Sequence, residues 1–116
     1  MDAQIAYAVN QINAHEGKIS ISHLMSEVNL CQRHFERKFK LHTGFTPQKY
    51  NSIVKFKNAI KILRNESSDN LLSVAVKAGY YDASHLSREV KKLSGSTPNF
   101  FLSLPPDNEA TIIYTK

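Results

Sequence analysis

Apolar residues recur at helical spacing along most of this 116-residue chain. Ile5, Val9 and Ile12 stand at i, i+4 and i+7, which predicts a first amphipathic helix over residues 3–15. Ser22 is a suitable N-cap for a short second helix that ends near Asn29. No alternating pattern outside the last residues is long enough to build a sheet, so the sequence predicts an all-α fold.

The chain contains one pattern twice, in residues 24–50 and again in residues 74–101, once a one-residue gap is allowed. The shared positions include apolar residues, basic residues and a Gly-x-Thr-Pro sequence after each copy. They pair Leu24 with Val74, Val28 with Ala78, Leu30 with Tyr80, Phe35 with Leu86, Arg37 with Arg88, Phe39 with Val90, Lys40 with Lys91, Gly44 with Gly95, and Tyr50 with Phe101. A repeat that keeps both apolar and basic positions indicates one structural unit used twice.

Each copy predicts a short helix, a tight turn and a second helix. Asn29 and Gly79 mark the turn, since both residue types tolerate a left-handed backbone. The helices after the turn are predicted over 32–43 and 83–94, and a long linker helix over 47–64 separates the copies. The sequence therefore predicts two helix-turn-helix subdomains joined by that linker.

The helix after each turn has an apolar face and an opposite polar face. At about 100° per residue, Phe35 and Phe39 point away from Arg33, Arg37 and Lys40. In the second copy Leu86, Val90 and Leu93 point away from Ser84, Arg88 and Lys91. Arginine can donate two hydrogen bonds to guanine, and lysine can neutralise phosphates, so these faces suit the major groove of DNA.

Charge and composition agree with a nucleic-acid partner. The net charge is +5, and residues 31–64 hold nine Lys or Arg against Glu36 alone. The linker helix carries four of the lysines, and we expect Arg64 to lie with them on its polar face. No apolar run approaches a membrane span, no signal-peptide pattern opens the chain, and Cys31 is the single cysteine. We therefore expect a cytoplasmic protein without a membrane partner.

The segments "HFERKFK" and "GYYDASHLSREVKK", each followed by Gly-x-Thr-Pro, resemble the DNA-binding domain of the AraC/XylS family of transcription regulators. The resemblance covers about residues 3–104 and implies seven helices. It implies a domain over 1–104, with a first helix-turn-helix unit at 3–46, the linker helix at 47–64, a second unit at 70–104, and a C-terminal tail at 105–116. Two recognition helices would enter successive major-groove segments of double-stranded DNA and regulate transcription, as in bacterial activators.

Carried over position by position, the resemblance also implies which residues contact DNA. The base-reading candidates are Arg33, Glu36, Arg37, Ala83, Ser84, His85 and Arg88. The phosphate candidates are Gln32, Lys40, Lys49, Lys55, Lys57, Lys91 and Lys92. Glu36 is unusual on a DNA-facing surface, but a carboxylate can accept a hydrogen bond from cytosine N4. Cys31 stands where the family usually has a capping Ser or Thr.

Two other classes of function compete with DNA binding. An enzyme is disfavoured because the five histidines and the cysteine form no metal-spaced pair, and no glycine-rich phosphate loop occurs, so we predict neither metal nor cofactor. A helical module that binds an acidic protein remains the alternative. RNA polymerase is a candidate second partner. The family commonly has an effector or dimerisation domain, so we expect either a fragment of a longer regulator, which we favour, or a stand-alone member.

Overall fold

The computed structural model describes residues 2–28, 30–65 and 70–102, and these ranges contain seven helices and no strand. The helices are α1 (Ala3–Ala14), α2 (Ile21–Glu27), α3 (Gln32–Thr43), α4 (Pro47–Asn65), α5 (Leu71–Ala78), α6 (Ala83–Ser94) and α7 (Pro98–Leu102). The all-α prediction with seven helices is confirmed. The tail at 105–116 and the predicted turn residue Asn29 lie outside the described residues.

The chain forms two compact units that divide within α4. The first unit ends at Val54 and the second begins at Lys55. The long helix therefore contributes its first two turns to one unit and the remainder to the other. The domain boundaries expected from the sequence, at residues 46, 64, 70 and 104, stay predictions.

The first unit has a core built by α1, α2 and α3. Its fully or almost fully buried side chains are Ile5, Ala8, Ile12, Leu24, Val28, Phe35 and Phe39. The Phe35 and Phe39 ring centroids are 5.8 Å apart, and Tyr50 of α4 packs edge-on against Phe39 at 5.5 Å. The Asn51 side-chain amide donates to the Ile19 carbonyl at 3.3 Å, which holds the start of α4 to this unit.

The second unit has an equivalent core in which α4 takes the place of α1. Its buried side chains are Phe56, Ala59, Ile60, Leu63, Val74, Ala75, Ala78, Tyr80, Leu86, Val90, Leu93 and Phe101. The first four of these lie on α4 with the same spacing that Ile5, Ala8, Val9 and Ile12 have on α1. Each follows its counterpart on α1 by the same number of residues by which Leu86 follows Phe35. The repeat is therefore a three-helix unit, longer than the sequence comparison indicated.

Two helix termini differ from the prediction. Ser20, not Ser22, caps α2, because its backbone is extended and its Oγ accepts from the His23 N–H at 3.3 Å. The first helix ends at Ala14, and His15 is its C-cap. Gly44 and Gly95 directly follow α3 and α6 and end them, with φ of 86° and 80°, in the left-handed region that favours glycine.

The expected exposure of Arg64 is wrong. Its side chain is only 4% exposed, whereas Lys57 and Lys61 of the same helix are exposed. Arg64 follows Ile60 by four residues, which places it on the buried stripe of α4 rather than on the polar face. The basic surface of the linker helix is therefore smaller than the sequence predicts.

Candidate nucleic-acid interface

The recognition helix of the first unit, α3, has one buried face and one exposed basic face. Phe35 and Phe39 are completely buried and fix the inner face of the helix. Arg33, Arg37 and Lys40 are exposed, as the helical periodicity predicts. A row of cationic side chains on the outer face can donate to both base edges and phosphates.

An ion pair ties α3 to the start of α1. The Lys38 ammonium lies 2.7 Å from Oδ2 of Asp2, and the other carboxylate oxygen of Asp2 accepts the N–H groups of Gln4 and Ile5 as the N-cap of α1. The hydrogen bond from Lys38 holds the pKa of Asp2 below its ordinary value, with the two backbone hydrogen bonds acting in the same direction. This contact links the recognition helix to the N-terminus of α1.

The first turn of α3 lacks a side-chain cap. Cys31 is the N-cap and is exposed, but its side chain makes no capping hydrogen bond. The Gln32 side-chain amide donates to Glu36 Oε1 at 3.1 Å. Glu36, the acidic base-reading candidate, is thus hydrogen-bonded to a neutral side chain of the same helix. This bond restricts the Glu36 side chain, but its carboxylate can still accept further hydrogen bonds.

The recognition helix of the second unit, α6, repeats this division. Leu86, Val90 and Leu93 are buried on its inner face. Ser84 and Arg88 are exposed on the opposite face. Lys91 and Lys92 are also exposed, and the Lys91 ammonium donates to the Gly95 carbonyl at 3.0 Å. The Lys91 ammonium therefore lies at the C-terminal end of α6, where its positive charge interacts favourably with the negative end of the helix dipole.

His85 is held at the start of α6 by its neighbours. The Asp82 side chain caps the helix by accepting the His85 N–H at 2.8 Å. The imidazole packs edge-on against Tyr80 at 5.1 Å, and its Nδ1 accepts the Tyr81 N–H at 3.5 Å. The neutral ring then carries its proton on Nε2, which can donate to a base or a phosphate. Ala83, two residues earlier, is half-buried.

The lysines of α4 do not share one environment. Lys57 is exposed and Lys49 is half-buried. The Lys55 ammonium lies 4.6 Å from the centroid of the buried Tyr80 ring, and burial lowers the pKa of Lys55, opposed by the charge of Glu89. The same burial raises the pKa of Tyr80. Lys55 is thus packed in the second unit, and a phosphate contact would require its side chain to leave Tyr80.

A protein-family model described as "Helix-turn-helix domain" matches residues 24–103, which include both recognition helices. The chain belongs to this helix-turn-helix family. The predicted resemblance to the AraC/XylS-type DNA-binding domain is thereby confirmed. The family is one of DNA-binding domains of transcription regulators and is not an enzyme family.

Curated relatives agree with this assignment. The transcriptional activator RhaS of Pectobacterium atrosepticum is 28% identical over 86 residues, which are 74% of this chain and 30% of that protein. RhaS of Escherichia fergusonii is 28% identical over 98 residues, which are 84% of this chain and 35% of that protein. The helix-turn-helix chain therefore spans about a third of the length of these activators.

Solved structures share the fold. The DNA-binding domain of the global transcriptional factor AdpA, in complex with a target DNA, superposes with a TM-score of 0.78 at 20% identity, covering 88% of this chain and 92% of that one. The xylose-binding transcription activator XylR gives 0.77 at 19% identity, covering 92% and 28%. A probable AraC family regulator from Rhodopseudomonas palustris gives 0.74 at 18% identity, covering 91% and 100%.

The structure leaves Arg33, Arg37 and Lys40 exposed on α3, and Ser84, Arg88, Lys91 and Lys92 exposed on α6, whereas Ala83 and Lys49 are half-buried and Lys55 packs on Tyr80. Sequence reasoning missed three features: the Asp2–Lys38 pair, the Lys55–Tyr80 contact and the exposure of Tyr81. Of these three features, only Tyr81 could have been noticed in the sequence, because it is the one residue of the second copy that has no counterpart in the first. Over the described ranges, no helix is long and apolar enough to cross a membrane, and no three His, Cys, Asp or Glu side chains could hold a metal ion.

Proposed function

We propose that this chain binds double-stranded DNA with sequence preference by inserting α3 and α6 into successive segments of the major groove. The observation that carries the proposal is the placement of Arg37 and Arg88. Both are exposed at the same position of the repeated unit, opposite buried side chains that fix the orientation of each helix. A recognition helix needs one rigid inner face and one outer face that can donate to base edges.

Base reading is assigned to the outer faces and first turns of the two recognition helices. In the first unit Arg33 and Arg37 donate to guanine, and Glu36 accepts from cytosine. In the second unit Arg88 donates to guanine, while Ala83, Ser84 and His85 contact bases at the start of α6. The copies differ at several of these positions, so each unit would prefer a different half-site.

Phosphate contacts are assigned to the surrounding polar side chains. Lys40, Lys91 and Lys92 border the two outer faces, and Lys57 offers an exposed ammonium on α4. Gln32 and Lys49 are weaker contributors because one is bonded to Glu36 and the other is half-buried. Lys55 would contribute only after release from Tyr80. Such contacts supply affinity that depends steeply on salt.

In the cell, the chain would act in the cytoplasm as the DNA-binding part of a transcription activator. RNA polymerase would be its second partner, and an effector-binding or dimerisation domain would complete the full regulator. The supporting fact is that the chain matches about a third of the RhaS activators. A purified longer protein that carries this sequence would bind the same DNA sites with altered affinity in the presence of its effector.

A salt titration tests DNA binding directly. The chain is titrated with mixed-sequence duplex DNA at several salt concentrations, and the logarithm of affinity is plotted against the logarithm of salt concentration. We expect a steep linear decrease of about 0.9 for each phosphate contact. Affinity that does not depend on salt, or no binding to duplex DNA, would contradict the proposal and favour a module that binds an acidic protein.

A further inference from the structure

Two consecutive tyrosines before α6 have opposite environments. Tyr80 is 5% exposed and packs in the core of the second unit, whereas Tyr81 is 88% exposed. Tyr80 corresponds to Leu30 of the first copy, and the N-cap Asp82 corresponds to the N-cap Cys31. Tyr81 is therefore the one residue of the second turn without a counterpart in the first.

The backbone at Tyr81 is fixed on both sides. Its N–H donates to Nδ1 of His85, the preceding side chain is buried, and the following residue caps α6 through the His85 N–H. The exposed ring therefore projects from a defined point directly before the recognition helix. A side chain held in this way loses little additional backbone freedom when it contacts a partner.

On the basis of the proposed function, we propose that Tyr81 contacts the sugar–phosphate backbone at the edge of the groove that α6 enters, with its hydroxyl donating to a phosphate oxygen. The first residues of a recognition helix face base edges, so a residue preceding the N-cap lies toward the groove edge. Tyrosine hydroxyls are among the groups that bind DNA phosphates, while a phenol lacks the paired donors and acceptors that identify a base.

The experiment compares the affinity of the wild-type chain, Tyr81→Phe and Tyr81→Ala for a set of duplexes of different sequence. Because one hydrogen bond to a charged group is lost, Tyr81→Phe should weaken binding by about ten-fold on every duplex. Tyr81→Ala should weaken it further, since the ring contact is also lost. The salt dependence should not change, because the phenol is neutral and releases no counterion.

Tyr7→Phe is the matched control, because it removes the same hydroxyl from a tyrosine that already donates to Glu27 within the first unit. It should leave DNA affinity unchanged. Equal affinity of Tyr81→Phe and the wild type would overturn the inference, as would a loss confined to some sequences, which would make Tyr81 a base reader. Failure of the wild-type chain to bind any duplex would instead overturn the proposed function.

Discussion

Lys38 of the recognition helix α3 donates to the carboxylate of Asp2, the residue that caps α1, at 2.7 Å. The equivalent position of α6 carries Glu89, whose charge acts on Lys55 of α4. In both units this position thus carries a charge opposite to one on the helix preceding the helix-turn-helix, forming an ion pair in the first unit and a longer-range attraction in the second. The sign of the pair is exchanged between the copies, and the attraction is kept.

The Asp2–Lys38 pair predicts how the first unit responds to acid. The pKa of Asp2 is lowered in the folded chain, so the charged form stabilises the fold above the ordinary carboxyl pKa of about 3.9, and this contribution is lost as the pH falls through the folded value. Lys38→Met should return the Asp2 pKa toward the ordinary value. A carboxyl-carbon NMR titration of Asp2 measures the change.

Lys18→Met is the control for that titration. Lys18 is paired with Glu16 at 3.5 Å in the same unit, so its loss removes one positive charge without touching Asp2. The Asp2 pKa should stay at its wild-type value in this variant. An equal rise in both variants would show that net charge, rather than the Lys38 hydrogen bond, sets the pKa.

The uncapped N-terminus of α3 predicts a stabilising substitution. Cys31 provides no side-chain acceptor, whereas Asp82 accepts the His85 N–H at the same position of α6. In Cys31→Ser the hydroxyl can accept the His34 N–H, which should increase the free energy of unfolding by about 1 kcal/mol. Asp82→Ala should decrease it by a similar amount. Urea unfolding followed through amide signals of α3 and α6 measures both, and an unchanged α3 in Cys31→Ser would rule out the capping argument.

Lys57 and Lys55 should respond differently to removal, although they are two residues apart on α4. Lys57→Ala should reduce the slope of log affinity against log salt by about 0.9, because it removes one phosphate contact. Lys55→Ala should leave the slope nearly unchanged and destabilise the second unit, because the ammonium packs over Tyr80. DNA titration at several salt concentrations distinguishes the two effects, and a larger change in slope for Lys55 would reverse these assignments.

The two exposed arginines should affect sequence preference more than general affinity. Arg37→Ala and Arg88→Ala should each lose about 1–3 kcal/mol of binding free energy on the preferred site and much less on unrelated sequences. Competition between the preferred site and point-substituted sites measures this difference. Equal weakening on all sites would identify the arginines as phosphate contacts.

The sequence predicted α3 and α6 with the bounds that the structure has, because Gly44 and Gly95 end both helices in a left-handed conformation. It also predicted which side of each recognition helix is buried, since that depends on periodicity alone. The burial of Arg64 and the packing of Lys55 on Tyr80 depend on contacts between segments distant in sequence. The equivalence of α1 and α4 was missed because only a few apolar positions carry it, and one of them is alanine.

Selection of binding sites from a random duplex pool tests the central claim most directly. Two recognition helices on one duplex should enrich two short, different sequence blocks whose centres are about 10–10.5 base pairs apart. Arg37→Ala should erase preference within one block only, and Arg88→Ala within the other. Enrichment of a single block, or of no sequence at all, would contradict the claim that both units read the same DNA.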